Sequence, residues 1–339
     1  MQINTYDNAR EYYRRAESYL LEDEAAHCLL IGLSKAMCNS QSEHRNFPYL
    51  ITVEHHGSII ATAIRTSLQR KLVLSKSTDL GAIKLIAENA IAFENKSLPG
   101  IIGSKSEAIT FVRTWHSLTK QDYELAFAMQ IHQLEAVKPI NKASGSFRLV
   151  QKSDRDLIIK WSEAFEREAL GDSEPKSNHQ SWFERHLKQQ SLFVWQNETS
   201  VSMAAFGGTT PNGTRINAVY TPPEYRGKGY ATSCVAALSQ HLLDLGYKYC
   251  FLFTDLANPT SNHIYQKIGY LPVCEISNYS FKFTNNKQVA TKKPLSVLAK
   301  RFFDTYLFYF LRCNLMVVDS TLQNQHQHKH RRKRHQQQR

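Results

Sequence analysis

The segment that most restricts the fold is Val219-Tyr-Thr-Pro-Pro-Glu-Tyr-Arg-Gly-Lys-Gly-Tyr-Ala231. A short β-forming run, Arg215 to Thr221, is stopped by Pro222 and Pro223. Arg226-Gly-Lys-Gly229 then leads into a helical pattern with apolar residues at Ala231, Cys234, Val235, Leu238, Leu242 and Leu245. The order predicted is strand, glycine-bearing loop, helix N-terminus. Gly227 and Gly229 lack Cβ atoms, so their backbone can come close to a ligand and turn its N–H groups onto oxygen. The helix adds roughly half a positive charge at its start, which makes the junction suited to a phosphate group.

The spacing is neither G-x-x-x-x-G-K-[ST] nor G-x-G-x-x-G, which argues against a P-loop and against a Rossmann dinucleotide site. Arg226 to Ala231 fits R-x-x-G-x-A instead. Gly246 follows the helix as a C-terminal glycine does, and Tyr249 to Thr254 reads as a buried strand with Asp255 at its end. Next comes Asn258-Pro-Thr-Ser-Asn-His-Ile-Tyr-Gln-Lys-Ile-Gly-Tyr270, a loop asparagine, a short tyrosine-bearing helix and a closing Gly-aromatic pair.

With these two signatures in order, the chain resembles the GNAT superfamily of acyl-CoA-dependent N-acetyltransferases. The resemblance implies an α/β (α+β) fold, a mixed central β-sheet flanked by helices. It implies acetyl-CoA as co-substrate, with the pyrophosphate on the loop of Arg226, Gly227, Lys228, Gly229, Tyr230 and Ala231. The pantetheine arm is then expected along Val219, Tyr220 and Thr221, where two parallel strands splay, with Asn258 and Asn262 as further contacts. Tyr265 is the expected catalytic group at the departing sulfur. A phenol of pKa ~10 facing a thiol of ~8.5 donates uphill by about 2 kcal/mol. Tyr265 therefore hydrogen-bonds the thiolate more readily than it protonates it. The strand from Arg215 to Thr221 holds no carboxylate, so the general base is open among Glu163, Glu166, Glu168, Glu224, Asp255 and a water chain. No cysteine sits at a predicted loop end beside a histidine, which favours direct attack by the amine in a ternary complex.

At 339 residues the chain has room for two domains. A polar, breaker-rich stretch from Lys138 to Ser146 is the expected linker between a module at 1–140 and a catalytic module at 146–284. The first half repeats the element order of the second, with helices at Tyr6–Glu22 and Ala25–Met37 and strands at Tyr49–Glu54 and Ile59–Ile64. The apolar run Lys71–Leu74 and a helix from Leu80 to Phe93 follow. Leu98-Pro-Gly-Ile-Ile-Gly103 stands where a phosphate loop is expected, and Ser104-Lys-Ser-Glu107 reads as a capping box opening the next helix. No R-x-x-G-x-A follows. This half resembles a diverged, non-binding GNAT-like copy that walls the acceptor cleft, as in two-module bacterial members of the family.

Net charge is +12, but it is concentrated. From Asn285 onward there are 12 Lys and Arg against 2 Asp and Glu, so the tail carries +10 and the rest of the chain +2. The extension 285–339 joins an apolar stretch, Phe302 to Val318, to a His/Gln/Arg-rich low-complexity end, for which disorder is the expectation. The apolar stretch is too short and too interrupted by Asp304 and Arg312 for a membrane helix. Contact with nucleic acid or a membrane surface is therefore open only for this tail. The polar N-terminus and six cysteines without C-x-x-C spacing lead to the expectation of a cytoplasmic protein without disulfides or metal; His55, His56 and His116 lack ligand spacing. The acceptor is an amine on a small molecule or peptide, not further resolved, and the oligomeric state is open. Two alternatives remain: a non-catalytic acyl-CoA-binding or sensing module, and an interaction protein acting through its basic tail.

Overall fold

A computed structural model describes residues 1–39, 48–94, 98–170, 178–256 and 258–282. The tail from 285 onward lies outside the described residues. The first half runs β1 (Gln2–Thr5), α1 (Ala9–Glu22), α2 (Glu24–Asn39), β2 (Tyr49–His55), β3 (Ser58–Arg65), β4 (Leu72–Leu74), α3 (Leu80–Glu94), β5 (Gly100–Ser104), α4 (Lys105–Thr119) and β6 (Tyr123–Leu134). The second runs β7 (Ser146–Leu149), α5 (Arg155–Leu170), α6 (His179–Gln189), β8 (Leu192–Asn197), β9 (Thr199–Gly207), β10 (Gly213–Tyr220), α7 (Tyr230–Asp244), β11 (Tyr249–Asp255), α8 (Pro259–Ile268) and β12 (Leu271–Phe281). The element order of the first half is repeated in the second.

All the strands join one mixed sheet in the order β1-β2-β3-β4-β5-β12-β6-β11-β10-β9-β8-β7. The last strand of each half crosses into the other. β12, the last strand of the chain's second half, lies at the centre of the sheet, antiparallel to β5 on one side and to β6 on the other. β6, from the first half, pairs antiparallel with β11 of the second. The β6 strand was not read from the sequence. Its text, Tyr123-Glu-Leu-Ala-Phe-Ala-Met-Gln-Ile-His-Gln-Leu134, alternates weakly, and its burial rises along the strand: Leu125 is exposed, whereas Met129, Ile131, His132 and Leu134 are buried.

Helices α1 and α2 cover one face of the sheet, where Leu30, Ile31, Ile102, Ile131, Phe251 and Ile276 share a core drawn from both halves. On the opposite face α3 and α4 bury Ile83, Ile86, Phe111 and Trp115 against β2 to β5, while α7 and α8 bury Val235, Leu238 and Ile268 against β10 and β11. Helices α5 and α6 cover the far end of the α1–α2 face through Trp161, Trp182 and Phe183. The halves are also tied by polar contacts. Lys71 Nζ donates to Asn278 Oδ1 (2.6 Å) and Ser280 Oγ (2.7 Å) across the β5–β12 seam. Glu24 at the start of α2 accepts from the backbone N–H and the Nδ2 of Asn212, both at 2.9 Å.

Two readings of the first half are corrected. Gly100 and Gly103 are not in a loop; they lie within β5. The segment equivalent to the phosphate loop is Ser75 to Asp79, between β4 and α3. The capping box at Ser104 does not form either: Ser104 makes no side-chain cap, and Glu107 turns away to accept from the Ser77 N–H (2.9 Å) and from Ser106 Oγ (2.6 Å).

Gly100 is needed for strand contact rather than ligand contact. Its φ is +155°, and a Cβ there would stand 2.1 Å from the Tyr279 carbonyl oxygen of β12. Gly100→Ala should therefore force the exchanged strand away from β5 and cost about 1–3 kcal/mol. Urea unfolding followed by far-UV circular dichroism and tryptophan fluorescence is expected to show one coincident transition moved to lower denaturant, since Trp115 and Trp195 lie on either side of the exchange.

Candidate active site

The parallel strands β10 and β11 pair only at Gly213–Tyr249, Thr214–Cys250 and Arg215–Phe251. They separate from Ile216 onward, earlier than the splay expected at Val219. Each strand is drawn toward a different neighbour. β11 stays with β6 through Leu252–His132, Thr254–Gln130 and Asp255–Met129, and the Leu256 N–H continues to the Ala128 carbonyl at 3.2 Å. β10 leans to β9. Ser202 Oγ donates to the Tyr220 carbonyl (3.2 Å) and accepts from Thr221 Oγ1 (2.9 Å).

A bulge completes the separation. Pairing with β9 shifts between Asn217–Ala205 and Tyr220–Met203, and Ala218 takes φ +48°. A non-glycine residue in left-handed backbone costs on the order of 1–3 kcal/mol and persists only where its surroundings hold it. Here it re-aims the backbone of Ala218 and Val219 out of the ladder. Sequence reasoning did not find it, because Asn217-Ala-Val219 contains no glycine to signal left-handed backbone.

The expected phosphate loop stands at the mouth of this gap. After Pro222 the chain makes one tight turn, Pro223–Tyr225, with Arg226 N–H on the Pro223 carbonyl at 3.2 Å. Gly227 and Gly229 adopt φ of +75° and +79° and are exposed. Gly229 is the N-cap of α7 and has no side chain to cap it. The first N–H groups of α7, from Tyr230 and Ala231, therefore have no intrahelical partner. A Cβ at Gly227 would meet nothing within 4 Å, and one at Gly229 only Ala143 Cβ at 3.9 Å. The site fits an oxyanion such as a pyrophosphate.

The side chains of the motif have other work. Arg226 Nε donates to the Thr221 carbonyl (2.8 Å), its Nη2 lies 2.6 Å from Glu168 Oε2, and its guanidinium stacks on Tyr220 at 5.8 Å. Lys228 Nζ reaches the Glu224 carbonyl at 3.2 Å and lies over the Tyr225 ring. Tyr230 is buried, its hydroxyl accepting from Asn197 Nδ2 at 2.9 Å. Tyr220 is buried among α5 and α6, and its hydroxyl donates to Glu168 Oε1 at 3.1 Å; burial, with the Glu168 bond, raises its pKa.

Across the gap, the Asn258 N–H bonds the Asp255 carbonyl at 3.0 Å and the Asn262 N–H the Asn258 carbonyl at 3.3 Å. Asn262 Oδ1 is buried with no hydrogen-bond partner among the described residues, an acceptor open to a ligand N–H. Tyr265 is buried in the α7–α8 core, its ring 5.9 Å from Tyr270 edge to face. Gly269 has φ +117°, and a Cβ there would stand 3.0 Å from the Ala136 carbonyl at the exit of β6. The closing glycine of the motif thus serves the strand exchange.

Of the base candidates, Glu168 is engaged by Tyr220 and Arg226. Glu166 forms a buried pair with His179, Oε2 to Nε2 2.7 Å, and His179 Nδ1 meets Ser162 Oγ at 2.9 Å. His179 escaped sequence reading; it lies thirteen residues beyond Glu166 on a separate helix, α6, a separation that no helical periodicity connects. Among the described residues, no group of three or more His, Cys, Asp and Glu is arranged to hold a metal, and no helix is long and apolar enough to cross a membrane.

Residues 155–270 match the model of the acetyltransferase (GNAT) family. This half is a GNAT acetyltransferase domain. Solved structures extend the likeness over most of the chain. A GCN5-related N-acetyltransferase from Sphaerobacter thermophilus is 13% identical with a TM-score of 0.55, covering 82% of this chain and 95% of its own. A tandem GNAT protein from the clavulanic acid biosynthesis pathway is 8% identical with a TM-score of 0.50, covering 83% and 98%. No curated protein matches by sequence. At such identities the likeness is one of fold, and with the repeated element order it makes the first half a second, GNAT-like module.

That module lacks a free phosphate loop. Its loop amides are taken by the protein: Ser75 N–H by the Thr62 carbonyl, Lys76 N–H by His27 Nε2, Ser77 N–H by Glu107 and Asp79 N–H by Ser77 Oγ. Asp79 Oδ1 also holds the Gly81 N–H at 2.7 Å. Two carboxylates thus occupy donors that in the GNAT domain point to solvent.

Gly229→Val tests the loop. Left-handed backbone strains a β-branched residue by about 1–3 kcal/mol, and an exposed loop relaxes rather than unfolding the domain. Calorimetry should find acetyl-CoA binding weakened roughly tenfold or more, with the melting temperature nearly unchanged.

Proposed function

We propose that the protein transfers an acetyl group from acetyl-CoA to an amine by direct attack in a ternary complex, using the GNAT domain. The observation that carries this reading is the coincidence of three features. They are an uncapped α7 N-terminus behind Gly227 and Gly229, the β10–β11 gap with its bulge at Ala218, and Tyr265 on the helix that follows β11. In this reading the amides of Gly227 to Ala231 hold the pyrophosphate, and the backbone of Val219 to Thr221 aligns the pantetheine arm. Asn258 and Asn262 contribute from the opposite wall. Backbone donors aimed into a gap free of ladder bonds polarise the thioester carbonyl, as an oxyanion hole does. The neutral amine's electron pair attacks that carbon, its N–H proton passes to the general base or to water, and the C–S bond breaks to leave the amide and the coenzyme A thiolate. Tyr265 donates a hydrogen bond to the leaving sulfur.

The cysteines among the described residues support direct attack. Burial pushes the thiols of Cys234, Cys250 and Cys274 up to about 12 and that of Cys28 to about 11; Cys38 is also raised. A thiol so rarely ionised near neutral pH is a poor nucleophile for a covalent acyl intermediate. Asp255, Glu163 and Glu224 are the base candidates outside the Glu166–His179 and Glu168–Arg226 pairs. The acceptor is an amine on a small molecule or peptide, and a screen of amines with acetyl-CoA, following thiol release, identifies its class.

Because Glu107 and Asp79 occupy the loop donors of the first module, the full chain is expected to bind one acetyl-CoA. Calorimetric stoichiometry near one supports this, and two sites of similar affinity would show a second working module. Tyr265→Phe should lower kcat by about 10²–10⁴-fold with a small change in KM for acetyl-CoA, because charge develops on sulfur only as the thioester breaks. A drop in melting temperature with kcat within a few-fold of the parent would make Tyr265 a packing residue.

A further inference from the structure

The stretch between the two modules, residues 135–145, is not a free linker. It forms no helix or strand, yet Val137, Ile140 and Ala143 are partly buried against the α7–α8 core, while Lys138, Pro139, Asn141 and Lys142 are exposed. Burial at every third residue is the repeat of a polyproline II chain. The stretch is bonded along its course. Lys138 N–H donates to the Ile268 carbonyl at the end of α8 (2.8 Å), and Trp195 Nε1 of β8 donates to the Ser144 carbonyl (3.0 Å). Gly145, at φ +120°, has no room for a Cβ, which would stand 2.3 Å from the Gln196 carbonyl oxygen. The stretch is a strap laid across α8 and α7.

The strap ends against the phosphate loop. Ser233 Oγ, in the first turn of α7, accepts from the Ala143 N–H (2.8 Å) and donates to the Gly229 carbonyl (3.0 Å), so one hydroxyl joins the strap to the N-cap residue. Ala143 Cβ stands 3.9 Å from the place a Cβ of Gly229 would take. The residue before it is Lys142, whose ammonium has no hydrogen bond or ion pair among the described residues. Adjacent Cα atoms are about 3.8 Å apart, so the four-carbon stem of Lys142 is long enough to bring that ammonium to an oxyanion on the α7 amides.

The motif's own cations are committed elsewhere. Arg226 gives its Nε to the Thr221 carbonyl and pairs with Glu168, and Lys228 Nζ bonds the Glu224 carbonyl. We infer that Lys142 is a coenzyme-binding residue: the strap carries its ammonium to the phosphate groups of acetyl-CoA at the start of α7. This rests on the role proposed above for the loop. A lysine suits the task, because its ammonium is a point charge on a flexible stem and needs no fixed fork geometry to meet a phosphate oxygen. Lys142 lies outside residues 155–270, so the GNAT domain's site takes a side chain from the connection between the modules.

The test needs no acceptor amine. Calorimetry on the full chain compares acetyl-CoA, its dephospho form, which lacks the 3′-phosphate, and S-acetylpantetheine, which lacks every phosphate. Lys142→Gln should weaken acetyl-CoA binding roughly tenfold at low salt, with the melting temperature at the parent value. The deficit should shrink as salt rises. Lys142→Arg, which keeps the charge, should restore the affinity, and Lys138→Gln, which removes another exposed cation of the strap, should match the parent. S-acetylpantetheine should bind the parent and Lys142→Gln alike. A deficit kept with the dephospho form assigns the contact to the pyrophosphate, and a deficit lost there assigns it to the 3′-phosphate. Unchanged acetyl-CoA affinity in Lys142→Gln, an equal loss in Lys138→Gln, or an equal loss for S-acetylpantetheine overturns the inference and leaves the loop's role standing. A parent chain that does not bind acetyl-CoA overturns the reading of the loop and the inference together.

Discussion

The pairing of β6 with β11 governs the rest of the structure. A strand from the first half hydrogen-bonds β11 along its length, up to Asp255–Met129, while β10 remains bonded to β9 through its bulge. Each strand at the site obeys its outer neighbour, and the gap between them follows. A parallel pair released after Arg215–Phe251 leaves backbone N–H and C=O groups facing each other without a ladder. Such groups are costly to leave unmet, and a ligand that supplies amide partners, as a pantetheine arm does, offsets that cost.

The same exchange explains why the two modules have diverged in opposite directions. In the first, β4 and β5 stay in contact: a Cβ on Gly103 would lie 3.1 Å from Leu74 Cβ. The loop before α3 is closed by Glu107 and Asp79, whose charge disfavours a phosphate. That module contributes β6, a helical cover from α2 over the floor of the second module, and the anchor of Glu24 on Asn212.

Much of the second module was legible because its signals are local. Two prolines stop β10, two glycines supply positive φ, and a helical period follows; these fix strand, loop and helix without reference to distant residues. The asparagine–tyrosine helix was legible for the same reason. What escaped was non-local. β6 reads poorly because its burial grades from an exposed Leu125 to a buried Leu134 instead of alternating face by face, and its strand partners lie more than a hundred residues away. The bulge at Ala218 carries no glycine, since the strain is held by Ser202 and the β9 ladder and not by local preference. Gly100 and Gly103 misled because glycine in a strand, required by the close approach of β12 and Leu74, looks like glycine in a loop. Arg226 and Tyr230 lie in the motif as expected, yet their side chains brace the loop from behind through Glu168 and Asn197.

The dependence of the site on β6 can be measured by separating the halves. Residues 1–140 and 146–282 are produced as two chains, each alone and both together, and acetyl-CoA binding is followed by calorimetry. The account predicts that the pair co-purifies one to one and binds acetyl-CoA, while residues 146–282 alone do not bind it. Binding by residues 146–282 alone, with the affinity of the full chain, would show that the gap between β10 and β11 forms without the borrowed strand, and would contradict the account.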